Sequence, residues 1–170
     1  MVYKILALIV GFYFLAIFQT SFFPNLSILG ATPNLVLSLI CLVAFFERKN
    51  SYSGILGALA GGLFIDLLAN SFIGAATLGC VLIYILLKEV LKQLHDMPRS
   101  YSLLYFLPIL AASVVFYDFL LSLFYYSGSL ATLLNVNILA TLFRVLYTLA
   151  FGAVGFYIFK TFSPRLNEPK

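Results

Sequence analysis

The stretch GILGALAGGLFIDLLAN, from Gly54 to Asn70, decides how the rest of this chain can fold. At about 100° per residue, its small residues fall on one half of a helix and its leucines on the other half. The small-residue face is formed by Gly54, Gly57, Ala58, Gly61 and Gly62. Such glycines are unfavourable in water, but in lipid they let a neighbouring backbone approach closely. We therefore expect the other helices to pack against this face, with Asp66 at its edge.

The composition is that of an integral membrane protein. Of the 170 residues, 63% are hydrophobic and 9% are charged, and the mean hydropathy is +1.08. A soluble domain of this length could not bury so much apolar surface. The net charge is +4, but the basic residues are scattered between apolar runs, which favours membrane orientation over nucleic-acid binding. Cys41 and Cys80 lie inside apolar segments and are interpreted as buried small hydrophobic residues.

The apolar runs predict an all-α integral membrane protein with a single transmembrane domain over residues 1–170. Six spans are predicted, at approximately 2–20, 33–46, 52–70, 71–87, 103–126 and 138–159. Phe22 to Thr32 is predicted to be a loop, with Thr32 as the N-cap of span two and Pro33 at its first helical position. Span two covers only about 21 Å of a hydrocarbon core of about 30 Å, so either its helix begins earlier or the bilayer is locally thinned.

Two polar segments are predicted to lie outside the hydrocarbon core. Glu47 begins a short charged turn, ERKN. After span four the helix continues as an amphipathic extension at the headgroups. Its polar side is formed by Lys88, Glu89, Lys92 and Gln93. His95 follows it and is interpreted as a solvated residue, and Pro108 is predicted to kink span five.

Nine of the ten Lys and Arg residues lie at alternate ends of the predicted spans. They are Lys4, Arg48, Lys49, Lys88, Lys92, Arg99, Lys160, Arg165 and Lys170. The loops at the opposite ends contain no Lys or Arg. By the positive-inside rule, both termini are predicted to be cytoplasmic.

Asp66, Asp118 and Arg144 are the charged residues that remain inside the predicted spans. In the six-span arrangement they lie in the outer leaflet, about 6 to 12 Å from the outer helix ends. A charge facing lipid costs at least about 2.5 to 3.5 kcal/mol near the centre of a span, so these side chains are expected to face inward and pair. This buried layer is either an ion pair between spans five and six, joined by Asp66, or a ligand, lipid or ion site that opens outward. Because the layer has a formal charge of −1, one acid is expected to be protonated or paired outside this chain.

No catalytic residue, metal site or cofactor is predicted. The sequence has no HExxH motif, no P-loop and no nucleophile and base that the predicted topology would bring together. The protein is therefore expected not to be an enzyme.

Two stretches resemble the MreD family of rod shape-determining membrane proteins. They are QTSFFPNLSILGATPNLVLSLICLVAF, from Gln19 to Phe46, and GILGALAGGLFIDLLANSFIGAATLGCVLIYIL, from Gly54 to Leu86. In that family, "Pro, Asn or Asp, Leu" opens span two and "Gly-Leu-x-x-Asp-Leu" ends span three. The matching residues are Pro33, Asn34, Leu35, Gly62, Leu63, Asp66 and Leu67. Asn34 stands where the family more often has Asp.

The resemblance implies a non-enzymatic component of the cell-elongation machinery in the bacterial inner membrane. Such a protein would bind MreC and link MreB filaments to the wall synthase formed by RodA and its penicillin-binding transpeptidase. An alternative is the substrate-binding S component of an energy-coupling-factor vitamin transporter, a bundle of similar size and topology. The sparse polar lining and the lack of Trp argue against it. An ion-coupled carrier would need an inverted repeat, which we do not find. The sequence leaves open a homodimer and contacts with membrane lipids.

Overall fold

The computed structural model describes residues 2–28, 30–47, 53–69, 74–93, 103–125 and 138–162. Their helices are α1 Val2–Ile17, α2 Leu35–Phe46, α3 Ser53–Leu68, α4 Ala75–Gln93, α5 Leu103–Tyr125 and α6 Ile138–Phe162. In these residues there is no β-strand, and a single antiparallel bridge joins Ile28 to Ala31. The bridge closes a turn in which Gly30 has a φ of 77°. The all-α prediction is confirmed for the part of the chain that the structure describes.

Three helical stretches are long and apolar enough to cross a membrane. They are Leu6–Leu26, Leu103–Phe124 and Ile138–Thr161. The apolar stretches Leu35–Phe46 and Gly54–Leu68 are shorter. The three long helices indicate a membrane protein, as the composition predicts. Within α5 the helix continues through Pro108, and the kink expected there stays a prediction.

The first helical stretch is longer than the sequence predicted. After α1 the chain forms a π-helix, Phe18–Phe22, and then a 3-10 helix, Phe23–Leu26. Pro24 is tolerated because it lies in the first turn of the second of these segments, where a backbone N–H has no helical partner to lose. The prediction of a loop from Phe22 is therefore wrong as far as Leu26.

Helix α2 begins later than predicted and has a different N-cap. The Leu37 N–H donates to Oδ1 of Asn34 at 3.0 Å, so Asn34 is the N-cap and not Thr32. The 12 residues of α2 span about 18 Å, so the helix does not begin earlier. The backbone before it is not helical, and Ala31 and Pro33 there are buried. Such backbone is tolerated at membrane depth where protein surrounds it.

The central element of the bundle is α2. It packs against α1, α3, α4, α5 and α6. Nine of its residues are buried, which explains why its sequence is apolar on all sides. The sequence predicts this central place for α3, but α3 packs mainly against α1, α2 and α4.

Helix α3 approaches its neighbours through its small residues. A Cβ at Gly62 would lie 2.5 Å from the Cα of Thr77 on α4. A Cβ at Gly61 would lie 2.7 Å from the Phe12 ring on α1 and 2.9 Å from Val36 on α2. All five residues of the small-residue face are buried: Gly54, Gly57, Ala58, Gly61 and Gly62. On the opposite side, Leu56, Leu59, Leu63 and Leu67 are exposed.

Candidate functional site

Asp118 on α5 and Arg144 on α6 form an ion pair. Nη1 of Arg144 donates to Oδ1 of Asp118 at 2.8 Å. The two helices pack side by side, which brings these two side chains together. The side chain of Asp118 is 11% exposed and that of Arg144 is 34% exposed. The guanidinium therefore lies at the edge of the bundle, while the carboxylate is mostly enclosed.

This ion pair leaves polar atoms of both residues without a partner. In the described residues, Oδ2 of Asp118 and Nε of Arg144 are buried and form no hydrogen bond. A two-point contact between the groups would have used both carboxylate oxygens. Each buried unpaired polar atom costs about 1 to 3 kcal/mol. The single hydrogen bond of the ion pair therefore offsets only part of the cost of burying these polar atoms.

Thr148, one turn further along α6, connects this ion pair to the start of α2. Its hydroxyl donates to the carbonyl oxygen of Arg144 at 2.7 Å and accepts from the Asn34 N–H at 2.9 Å. Oε1 of Gln19 accepts from the Val36 N–H at 3.0 Å. Side chains from distant parts of the sequence thus satisfy N–H groups at the helix start, which burial keeps from water.

Asp66 is 1% exposed, and its carboxylate accepts four hydrogen bonds from described residues at the start of α4. The donors are the N–H groups of Gly74, Ala76 and Thr77 and the hydroxyl of Thr77, at 2.7 to 3.0 Å. Asp66 therefore caps α4 from the end of α3, where the helix dipole also favours a negative charge. The sequence predicts this carboxylate beside Arg144, but Arg144 is instead paired with Asp118.

The capping role of Asp66 bears on the expected charge balance of the layer. A buried layer of charge −1 suggested that one acid would be protonated or paired outside this chain. Four donors and the positive end of α4 stabilise the carboxylate of Asp66 from within the chain. The expectation that one acid of the layer is protonated or paired outside this chain stays a prediction.

A second ion pair lies at the opposite end of α2. Nζ of Lys88 on α4 is 3.0 Å from Oε2 of Glu47, and the two side chains are 5% and 8% exposed. The Tyr84 hydroxyl donates to the same oxygen, and Oε1 of Glu47 accepts from the Gly54 N–H at 3.0 Å. Glu47 thus joins the end of α2 and the start of α3 to the side of α4.

This second ion pair corrects two expectations. Glu47 was placed in a charged turn and Lys88 on the polar side of an amphipathic extension, but both side chains are buried. The signal that could have placed Lys88 is the repeat Cys80, Tyr84, Lys88, which puts all three on one face of α4. Gly54 leaves room for the Tyr84 ring, because a Cβ there would lie 2.6 Å from it.

Other residues considered from the sequence carry no site in this structure. Cys41 and Cys80 are buried free thiols. Within the described ranges, no group of three or more His, Cys, Asp or Glu side chains could hold a metal ion. His95 lies outside the described residues.

Comparisons of the chain with protein-family models, with curated proteins and with solved structures find no match.

Proposed function

We propose that this protein is a non-enzymatic membrane scaffold of the bacterial rod complex, which binds MreC and helps to couple MreB filaments to peptidoglycan synthesis. The observation that carries the proposal is the resemblance of Gln19–Phe46 and Gly54–Leu86 to the MreD family. The proposal places the chain in the inner membrane, beside RodA and its penicillin-binding transpeptidase.

The contacts of the motif residues support a scaffold. Asn34 caps α2, and Asp66 caps α4. Gly62 permits the close approach of α3 to α4 at Thr77. A general acid or base must have a polar atom within reach of a substrate, whereas these polar atoms bind the starts of helices. The motif residues thus hold the bundle in shape.

The proposed topology has six spans with both termini in the cytoplasm. Nine Lys and Arg residues at alternate ends of the spans favour it. The contacts between helix ends also support it, because the end of α3 meets the start of α4 at Asp66. At the other end of α3, Glu47 brings the end of α2 to the start of α3. Along α3 and α4, Gly62 lies against Thr77 and Gly54 against Tyr84, so these two helices run in opposite directions, as successive spans would.

The second candidate function is the S component of a vitamin transporter. It is favoured by the unpaired atoms of Asp118 and Arg144, which could belong to a small-ligand site. Such a component would associate with transporter ATPase subunits and would be needed for growth without the vitamin.

Depletion of the protein separates the two functions. A rod-complex scaffold predicts rounded, lysis-prone cells that need no added vitamin. If the depleted strain kept its rod shape but required a vitamin, the scaffold function would be rejected in favour of the transporter component.

A further inference from the structure

The exposed large apolar side chains form a much shorter band on α3 and α4 than on α5 and α6. They lie within residues 56–68 on α3 and 78–90 on α4. On α5 they lie within residues 104–124, and on α6 within residues 138–158. With the rise of an α-helix, the bands are about 18 Å high on α3 and α4 and about 30 Å high on α5 and α6. We call the surface formed by α3 and α4 the short side.

Contacts with the end of α2 place α4 and α6 at one depth. Glu47, which follows α2, forms the ion pair with Lys88 on α4. The ring of the preceding residue, Phe46, stacks on that of Phe159 on α6, with the ring centroids 5.9 Å apart. Lys88 and Phe159 therefore lie at a similar depth, at the end of the bundle that the basic loops predict to be cytoplasmic.

The next residues, Glu89 on α4 and Lys160 on α6, mark one membrane surface. The side chain of Glu89 is 63% exposed, and Lys160 is also exposed. Charged side chains that face lipid are costly, so both lie at the hydrocarbon boundary or beyond it. Measured from these residues, α4 begins at Ala75 about 21 Å away, whereas α6 begins at Ile138 about 33 Å away. The difference of about 12 Å therefore lies at the outer ends of the helices.

Helix tilt does not account for the difference between the bands. To reduce a band of about 30 Å to a depth of about 18 Å, α5 and α6 would have to tilt by about 53°, whereas membrane helices tilt by about 0 to 40°. The short side therefore presents less apolar height than a hydrocarbon core of about 30 Å requires.

The composition of the short side favours lipid over a partner helix as its neighbour. Helices associate in membranes through small residues, which let their backbones approach closely. The small-residue face of α3 is already buried against α1, α2 and α4. The exposed large side chains of α3 and α4 are leucine, isoleucine and valine, which suit contact with acyl chains. A bilayer that covers only their short band must become thinner there.

We propose that the short side thins the outer leaflet of the bilayer locally and prefers phospholipids with short acyl chains. Lipid beside α5 and α6 keeps its full thickness, so the protein imposes a step in bilayer thickness around its circumference. The lipid accommodates the mismatch because α3 and α4 are held at their depth by contacts within the bundle. This inference rests on the proposed six-span topology but not on the rod complex or on MreC.

Tryptophan fluorescence can compare the lipid at the two sides. The chain contains no Trp, so a single introduced Trp reports on one position. Leu63→Trp on α3 and Leu82→Trp on α4 probe the short side, and Leu146→Trp on α6 is the matched control. The replaced leucines are 45%, 44% and 54% exposed. Each purified full chain is reconstituted in dioleoylphosphatidylcholine that contains either brominated dimyristoleoyl- or brominated dioleoylphosphatidylcholine. Bromine quenches a Trp that contacts the lipid, and the headgroups are identical.

Quenching gives the ratio of the binding constants of the short-chain and long-chain lipids at each Trp. We expect this ratio to be about threefold higher at positions 63 and 82 than at position 146, because a short chain relieves the mismatch only on the short side. Equal ratios at the three positions would overturn the proposal. A preference for the longer chain at positions 63 and 82 would overturn it as well.

A second copy of the chain on the short side would give a different pattern. It would shield positions 63 and 82 from both brominated lipids, while position 146 would still be quenched. This pattern would replace the lipid contact with a homodimer and would overturn the proposal. Since the two reporters on the short side lie on different helices, either one decides the question if the other variant does not fold. No MreC is present in these measurements, so their failure would leave the scaffold function standing.

Discussion

Arg144 is held by one ion-pair contact, to Asp118, in the part of the chain that the structure describes. Arg144→Ala would leave a mostly buried carboxylate without that partner. Because a third of the Arg144 side chain is exposed, we expect the free energy of unfolding to fall by about 3 kcal/mol, at the low end for a broken buried pair. The melting temperature in detergent measures the loss.

The charge swap of Asp118→Arg with Arg144→Asp tests whether pairing accounts for that loss. An ion pair between facing helices requires mainly that opposite signs meet, so the swap should restore much of the stability. A swap as unstable as the single variants would rule out this pairing as the main source of stability.

Lys88 and Glu47 form a more deeply buried ion pair than Asp118 and Arg144. Glu47→Gln keeps the oxygen that accepts from Gly54 but removes the charge nearest to Nζ of Lys88. We expect a loss of about 3 to 5 kcal/mol. Adding Lys88→Met should recover part of it, because the double variant no longer buries an unbalanced charge. Thermal melting of the three proteins checks this, and a fully stable Glu47→Gln protein would contradict it.

At the scale of helices, long apolar runs were predicted better than helix starts. The α5 and α6 ends lie within three residues of the predicted spans, because uninterrupted apolar sequence determines such helices. The start of α2 was misplaced because its N–H groups bind Gln19 and Thr148, which are distant in sequence. No local pattern around Thr32 contains that information.

Some contacts of the candidate site were likewise predictable from the sequence, and others were not. The cost of a charge that faces lipid was enough to predict, as one of two alternatives, that Asp118 and Arg144 pair between spans five and six. Asp66 was misassigned because its partners include the backbone N–H groups of Gly74, Ala76 and Thr77, which no side-chain pattern marks. Lys88 was misassigned because a charged residue near a helix end was taken as solvated, although its neighbours on α4 are buried.

Glycine substitutions test the packing of the helices. Gly62→Ala should destabilise the protein, because its Cβ would lie 2.5 Å from the Thr77 Cα, and backbone cannot move aside cheaply. Gly11→Ala is the matched control, since a Cβ there meets nothing within 4 Å. It should raise stability by up to about 1 kcal/mol through helix propensity.

The larger substitutions extend this test. Gly61→Leu and Gly62→Leu should reduce yield and melting temperature far more than Leu63→Ala, because Leu63 lies on the exposed side of α3. Equal yields for all of these variants would contradict the packing of α3 through its small residues.

At the scale of the whole molecule, the proposed six-span topology can be tested by cysteine labelling. In a background without Cys41 and Cys80, cysteines at Asn25 and Ser129 should react with a membrane-impermeant reagent from outside. Cysteines at Asn50, Arg99 and Lys170 should react only after the membrane is opened, because the basic loops are cytoplasmic. Labelling of position 99 from outside would exclude the six-span topology.

The most direct test of the scaffold function is a pull-down of the tagged full chain from native membranes. Its partners are identified by mass spectrometry, with an untagged strain as the control. The proposed function predicts enrichment of MreC, together with RodA and its transpeptidase. Enrichment of energy-coupling-factor ATPase subunits without MreC would contradict it.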